Sequence, residues 1–223
     1  MSDDATSKQS MSELPPLMHP HADVRVTQNR LPHWQQDNVT YFVTFRLADA
    51  LPAAQVAQWR DEREAWLRAH SQPWDAATEL EYVRHFENRT EHCLDEGRGS
   101  CLLRSGEPQR IVADALAFFD GQRYRQHAWV VMPNHVHALL SLLAGHKLED
   151  VVQSWKGFST HATNRALNRS GSIWQKDYFD RLIRNAEHFW NCVGYIQRNP
   201  SKAQLKPGEF RHFESEYVRL ARG

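Results

Sequence analysis

The sequence predicts an α+β domain: an antiparallel sheet of βαββαβ order, helices on one face, a helical insertion after the first strand and a further helix appended at the C-terminal end. Three observations predict it. Residues 39–47 and 125–143 are rich in β-branched and aromatic residues, as pleated, half-buried strands are. Apolar residues recur at helical spacing on either side of them. Pro133-Asn134 breaks the second apolar run with a tight turn, which makes its halves antiparallel neighbours. A hairpin between two helical segments, with a strand at each end, is the split βαβ or ferredoxin-like arrangement.

Taken in order, residues 1–29 are polar, with Ser and Pro and little periodicity, and are expected to form a flexible tail. Residues 30–205 form the expected domain. The first strand is 39–47. Pro52 opens a helix to about His70, with Val56, Trp59, Ala65 and Trp66 on one side. A more polar helix is expected over 76–95, ending before the stop signal Gly97-Arg98-Gly99. Residues 70–105 are therefore an insertion. A helix over about 107–120 carries Ile111, Val112, Ala115, Leu116 and Phe119. Strands follow at 125–132 and 135–143, then a helix over 147–167 that Asn168 to Gly171 ends. A fourth strand lies within 173–183. Asn185 is a good N-cap for the last helix, 186–199, and Pro200 stands where that helix should stop. Residues 206–223 are a C-terminal extension.

The chain has 223 residues, enough for one domain with a sizeable core. No apolar run spans a membrane, and the polar N-terminus lacks a signal core, so a cytoplasmic, nucleoid-associated protein is expected. Three widely spaced cysteines, Cys93, Cys101 and Cys192, argue against a disulfide framework or a cysteine-rich zinc site. Net charge is zero, but residues 147–223 carry 13 Lys and Arg against 8 Asp and Glu, and residues 1–146 carry 14 against 19. The basic excess lies on the C-terminal side, where a nucleic-acid backbone would be held.

Two short motifs carry chemistry. His135 and His137 flank Val136 on a strand, so both imidazoles project from one face and can share a divalent ion. Mg²⁺ or Mn²⁺ fits best with oxygen ligands completing the set, and Asn199 is the candidate third ligand. Tyr195 and Asn199 are spaced i, i+4 and share one helix face, which sets a phenol one turn from that ion. A phenol with a pKa near ~10 needs such help to act as a nucleophile at neutral pH. Tyr178 is the competing nucleophile, ranked second because no similar ligand adjoins it.

Four segments in order and spacing carry a family resemblance: AWVVMPNHVHAL at 128–139, SWKGF at 154–158, IWQKDYFDR at 173–181 and YIQRNPSKA at 195–203. The chain resembles the REP-associated tyrosine transposases, a branch of the single-tyrosine HUH transposases related to the IS200/IS605 group. The resemblance implies that His135 and His137 are metal ligands, that Asn199 is the polar third ligand, and that Tyr195 forms a 5′-phosphotyrosine and frees a 3′-hydroxyl. It implies single-stranded DNA folded into a hairpin as partner, handled by a monomer or homodimer. Gln204 departs from the glycine that family places at the turn after the tyrosine helix. Lys156, on a helix expected to face the site, and Arg181, Arg184 and Arg198 are candidate phosphate contacts. Trp174 and Tyr178, with Phe179, are candidates to stack on unpaired bases. A non-catalytic hairpin-binding protein is the alternative; it would not need both histidines, Tyr195 and Asn199 together. An RNA-binding ferredoxin-like domain would expose aromatics on its central strands, a pattern absent here.

Overall fold

The computed structural model describes residues 14–19, 25–28, 32–36, 38–70 and 74–221. Its centre is a five-stranded antiparallel sheet. β1 (Arg25–Gln28) and β2 (Pro32–Gln35) form a separate hairpin. β3 (Thr40–Arg46), β4 (Tyr124–Val131), β5 (His135–Leu142), β6 (Phe179–Leu182) and β7 (Arg211–Glu214) form the sheet, in the order β6-β3-β5-β4-β7. Without β7 this is the ferredoxin-like strand order. β7 adds an edge strand from the C-terminal extension, where no strand is predicted because Arg211-His212-Phe213-Glu214 has no alternating apolar pattern.

The period of two divides the core. From β3 and β5, Tyr41, Val43, Phe45, Val136, Ala138 and Leu140 point to one face. There they pack with Val112 and Leu116 of α4 (Gly106–Ala117) and Val151, Val152 and Trp155 of α5 (Leu148–Ala166). Phe42 and Leu139 point to the other face. They meet Ala128 and Val130 of β4 and Phe189, Val193 and Ile196 of α6 (Ala186–Lys202). A bulge at His127, between Gln126 and Ala128, shifts the register and turns Ala128 and Val130 toward α6. The two core helices thus share a face as expected, and the appended helix covers the opposite one. α7 (Glu216–Leu220), unforeseen, joins it through Val218.

α1 (Ala53–Ala69) follows β3. The single helix expected over 76–95 is broken into α2 (Ala76–Tyr82), a π-helical turn (Val83–Glu87) and α3 (Asn88–Asp95). The turn lets Tyr82 and Phe86 pack with Trp66, with ring centroids 5.4 and 6.0 Å from it. Of the expected strand within 173–183, only β6 is regular; Trp174 makes an isolated bridge to Leu47. Of the expected tail, residues 1–13, 20–24 and 29 lie outside the described residues, while Arg25–Gln28 form β1, Pro16 accepts from the Thr40 amide (2.9 Å) and Met18 donates to the Ile183 carbonyl. No helix among the described residues is long and apolar enough to cross a membrane.

Candidate metal and tyrosine centre

The site lies between β5 and α6. Strand geometry puts His135 and His137 on the α6 face, with ring centroids 4.7 Å apart. Both are fully enclosed, at 1% and 0% exposure. Each is held through Nδ1. Asn134 Oδ1 lies 2.7 Å from His135 Nδ1, while Asn134 Nδ2 donates to the Leu94 and Arg98 carbonyls. Those carbonyls accept only, so Oδ1 is the atom facing the ring. His135 must then donate from Nδ1 and carry its lone pair on Nε2. Thr44 Oγ1, directly across the sheet, holds His137 Nδ1 at 2.7 Å. His135 Nε2 and His137 Nε2 have no hydrogen-bond partner in the protein.

α6 brings the other two groups. Asn185 caps it, accepting from the His188 amide at 2.8 Å, as predicted. Phe189, Val193 and Ile196 bind it to the sheet, and Tyr195 and Asn199 follow on the flank toward the histidines. Tyr195 meets His137 edge-on at 5.1 Å and Phe42 at 5.9 Å between ring centroids. Asn199 is buried, and its side chain interacts with the Tyr195 hydroxyl, although neither its Oδ1 and Nδ2 nor that hydroxyl makes a hydrogen bond of good geometry. Pro200 does not stop the helix. It lies in the last turn, where the amide it lacks removes one bond, and the helix runs on to Lys202. Gln204 takes the left-handed conformation (φ 53°) that suits glycine, and the turn closes through the Leu205 amide to the Pro200 carbonyl.

The insertion closes the site from outside. α3 sets Glu91 beside the Tyr195 hydroxyl, and Lys202 pairs with Asp95 at 2.6 Å, tying α6 to α3. Burial lowers the His135 pKa to about 3, assisted by the charges of Arg46 and Lys202, and sends His137 well below its ordinary value. Both rings are therefore neutral at neutral pH. Burial, then the Glu91 and Asp95 carboxylates, push the Tyr195 phenol up. Glu91 is itself raised, mainly by burial.

The other candidates divide. Arg181 comes to the site, with its guanidinium 5.3 Å over the Phe42 ring and its charge acting on Glu91 and His137. Arg184, just before α6, and Arg198, within it, are both exposed, and Arg198 folds back over Gly194. Lys156 does not face the site, because α5 packs on the opposite side of the sheet. Its Nζ donates to the Lys176 carbonyl at 2.7 Å. Trp174 and Tyr178 are core residues at 3% and 7% exposure and offer no face for base stacking. Trp174 bonds Ser159 Oγ and packs 4.8 Å from Phe45. Sequence reasoning missed Thr44, Asn134, Glu91 and Lys202. Asn134 was legible only as a turn residue, and Glu91 carries no motif.

Among the described residues, no group of three or more His, Cys, Asp or Glu side chains could hold a metal ion. The two histidines with the Asn199 amide are a different donor set, and their unpartnered nitrogens and oxygen suit a cation. Residues 117–199 match the family described as Transposase IS200 like. The matched stretch contains His135, His137, Tyr195 and Asn199. The resemblance to the tyrosine transposases holds. The REP-associated tyrosine transposase of Escherichia coli (strain K12) is 32% identical over 97 residues, which are 42% of this chain and 56% of that protein. The chain thus spans about half the length of this relative. A solved REP-associated tyrosine transposase bound to a REP hairpin aligns over 78% of this chain and 74% of its own, at 18% identity and a TM-score of 0.47.

Proposed function

We propose that the protein is a metal-dependent single-stranded DNA endonuclease and strand transferase, acting on hairpin DNA through a 5′-phosphotyrosine in DNA transposition. One observation carries this reading: the Nε2 atoms of His135 and His137 are buried side by side without a protein hydrogen-bond partner, with Tyr195 packed against His137 and Asn199 interacting with Tyr195. Each such atom costs about 1–3 kcal/mol, so their collection in one place is explained by a ligand that pairs them. The relatives' names, with REP hairpin DNA bound in one, support DNA as substrate.

His135 Nε2, His137 Nε2 and Asn199 Oδ1 would hold Mg²⁺ or Mn²⁺, which when bound supplies Lewis-acid polarisation of the scissile phosphate. The chain's own groups do the rest. Asn134 and Thr44 fix the imidazoles so that both lone pairs point inward. Tyr195 Oη attacks phosphorus, the Oη–P bond forms as the P–O3′ bond breaks, and the departing DNA 3′-oxygen takes a proton from water to leave as a hydroxyl. Glu91, beside the phenol, can accept its proton. The phosphotyrosine retains the energy of the broken bond, so a second 3′-hydroxyl can reverse the step without a nucleotide cofactor. Arg181 and Lys202 supply positive charge beside the reacting phosphate.

A hairpin oligonucleotide with a single-stranded flank tests this reading. Wild type should cut it in Mg²⁺ or Mn²⁺ and not in EDTA, and His135→Ala and His137→Ala should each lose at least about 100-fold in rate. Undiminished cutting in EDTA would refute the metal centre.

A further inference from the structure

The helices between β3 and β4 build a second feature next to the site. Between α1, α3 and β6 runs a groove lined by Arg46, Arg60, Arg63, Arg89, Trp59 and Phe179, in which Asp177 is the one lining carboxylate. Two of these arginines lie on aromatic rings: Arg89 Cζ is 4.5 Å above Trp59, and Arg46 Cζ is 5.8 Å above Phe179. A stacked guanidinium keeps its planar N–H edge turned outward, the geometry that suits a phosphate. Arg63 is the one fully buried residue of α1, whose inward aromatic and apolar residues, Val56, Trp59 and Trp66, are only partly buried.

The competing carboxylates are weak holders. Arg89 pairs with Glu62, and Arg60 with Asp61 at 3.0 Å, on side chains that are one-third to two-thirds exposed. Exposed pairs of this kind are worth about 0–1 kcal/mol, so a phosphate can replace them. The groove leads inward. Thr90 and Phe179 also line a small cavity shared by Phe42, Thr44 and Arg181, and Arg46 is the cross-strand partner of His135. A chain lying in the groove would reach the histidine face.

We propose that this groove is a binding track for single-stranded DNA that delivers the strand to Tyr195. Its arginines hold successive backbone phosphates, and the half-exposed Trp59 and Phe179 receive unpaired bases. The DNA identity rests on the function proposed above; the anion-binding groove does not. None of its arginines lies in the C-terminal part of the chain, where the sequence shows its basic excess.

The test is binding of a fluorescein-labelled mixed-sequence single-stranded oligonucleotide to the full chain in EDTA, followed by anisotropy at several salt concentrations. Arg60→Gln/Arg89→Gln should weaken binding about 5- to 50-fold and reduce the salt slope by about 1.4, since each single-strand phosphate contact contributes about 0.7. Glu62→Gln, which removes a competitor, should tighten binding. Arg110→Gln/Arg165→Gln removes the same charge from α4 and α5 and should leave the affinity within about twofold of wild type. Arg63 is left intact because its burial couples it to folding. Unchanged affinity and slope in the groove variant, or an equal loss in the α4/α5 variant, would overturn the proposal. Binding that depends on the groove without any covalent adduct would sink the transesterase reading and leave the groove; an adduct with groove-independent binding would do the reverse.

Discussion

Asn199 is the side chain whose cost is clearest. It is 1% exposed, and its amide, beside the Tyr195 hydroxyl, makes no hydrogen bond of good geometry; burying a poorly satisfied amide costs about 1–3 kcal/mol. Phe189, Val193 and Ile196 on the same helix are each fully buried, a gain of about 1.5–3 kcal/mol apiece. The helix can therefore carry one unsatisfied amide at a net gain. Replacing that amide by an apolar group of similar size should show the trade. Asn199→Leu is expected to raise metal-free stability by about 1–2 kcal/mol in urea unfolding while lowering metal-dependent cleavage at least about tenfold. A variant both less stable and fully active would contradict a ligand role. His135 and His137 were legible as a ligand pair because a strand's period of two puts them on one face. Their tautomers were not, because Thr44 reaches His137 only through strand pairing, and the part of Asn134 depends on where Leu94 and Arg98 fall.

The elements explain which parts of the fold could be read in advance. β3, β4, β5, α4 and α5 each carry a strong local pattern, and each falls within a few residues of its expected span. β7 and α7 carry little pattern of their own; the exposed edge of β4 makes Arg211–Glu214 a strand. The 76–95 segment has helical composition throughout, yet packing around Trp66 inserts a π turn that no propensity signals. In the sequence Pro200 reads as a terminator. The last turn accommodates it at the cost of the one bond its missing amide would make. Trp174 and Tyr178 looked like stacking platforms because aromatics serve cores and nucleic acids alike, and only their burial separates the two uses. The arginines of the groove carry no sequence signal for a related reason: averaged over residues 1–146 they are outnumbered by acids, and only β3, α1, α3 and β6 folding together gathers them.

Across the whole molecule, the sheet separates a structural face from a chemical one. α4 and α5 seal the first; α6, closed in by the insertion, covers the second, where buried neutral histidines concentrate. Burial takes His127 and His135 to about 3 and His188 to about 4, below the ordinary value of 6.5. The unfolded chain then binds more protons than the native one between those values and 6.5, so acid favours unfolding. Stability should be full above about pH 6.5 and decline steadily toward pH 4, by on the order of 1–2 kcal/mol per enclosed histidine at pH 5. A flat urea midpoint from pH 7 to 5 would contradict the burial described here. The chemical face has one central claim, that Tyr195 becomes covalently joined to DNA. Labelled hairpin DNA incubated with Mg²⁺ or Mn²⁺ and run on a denaturing gel tests it directly. Wild type should give a protein–DNA adduct, and Tyr195→Phe should bind the hairpin yet give none; an undiminished adduct from Tyr195→Phe would contradict the account and point to Tyr178.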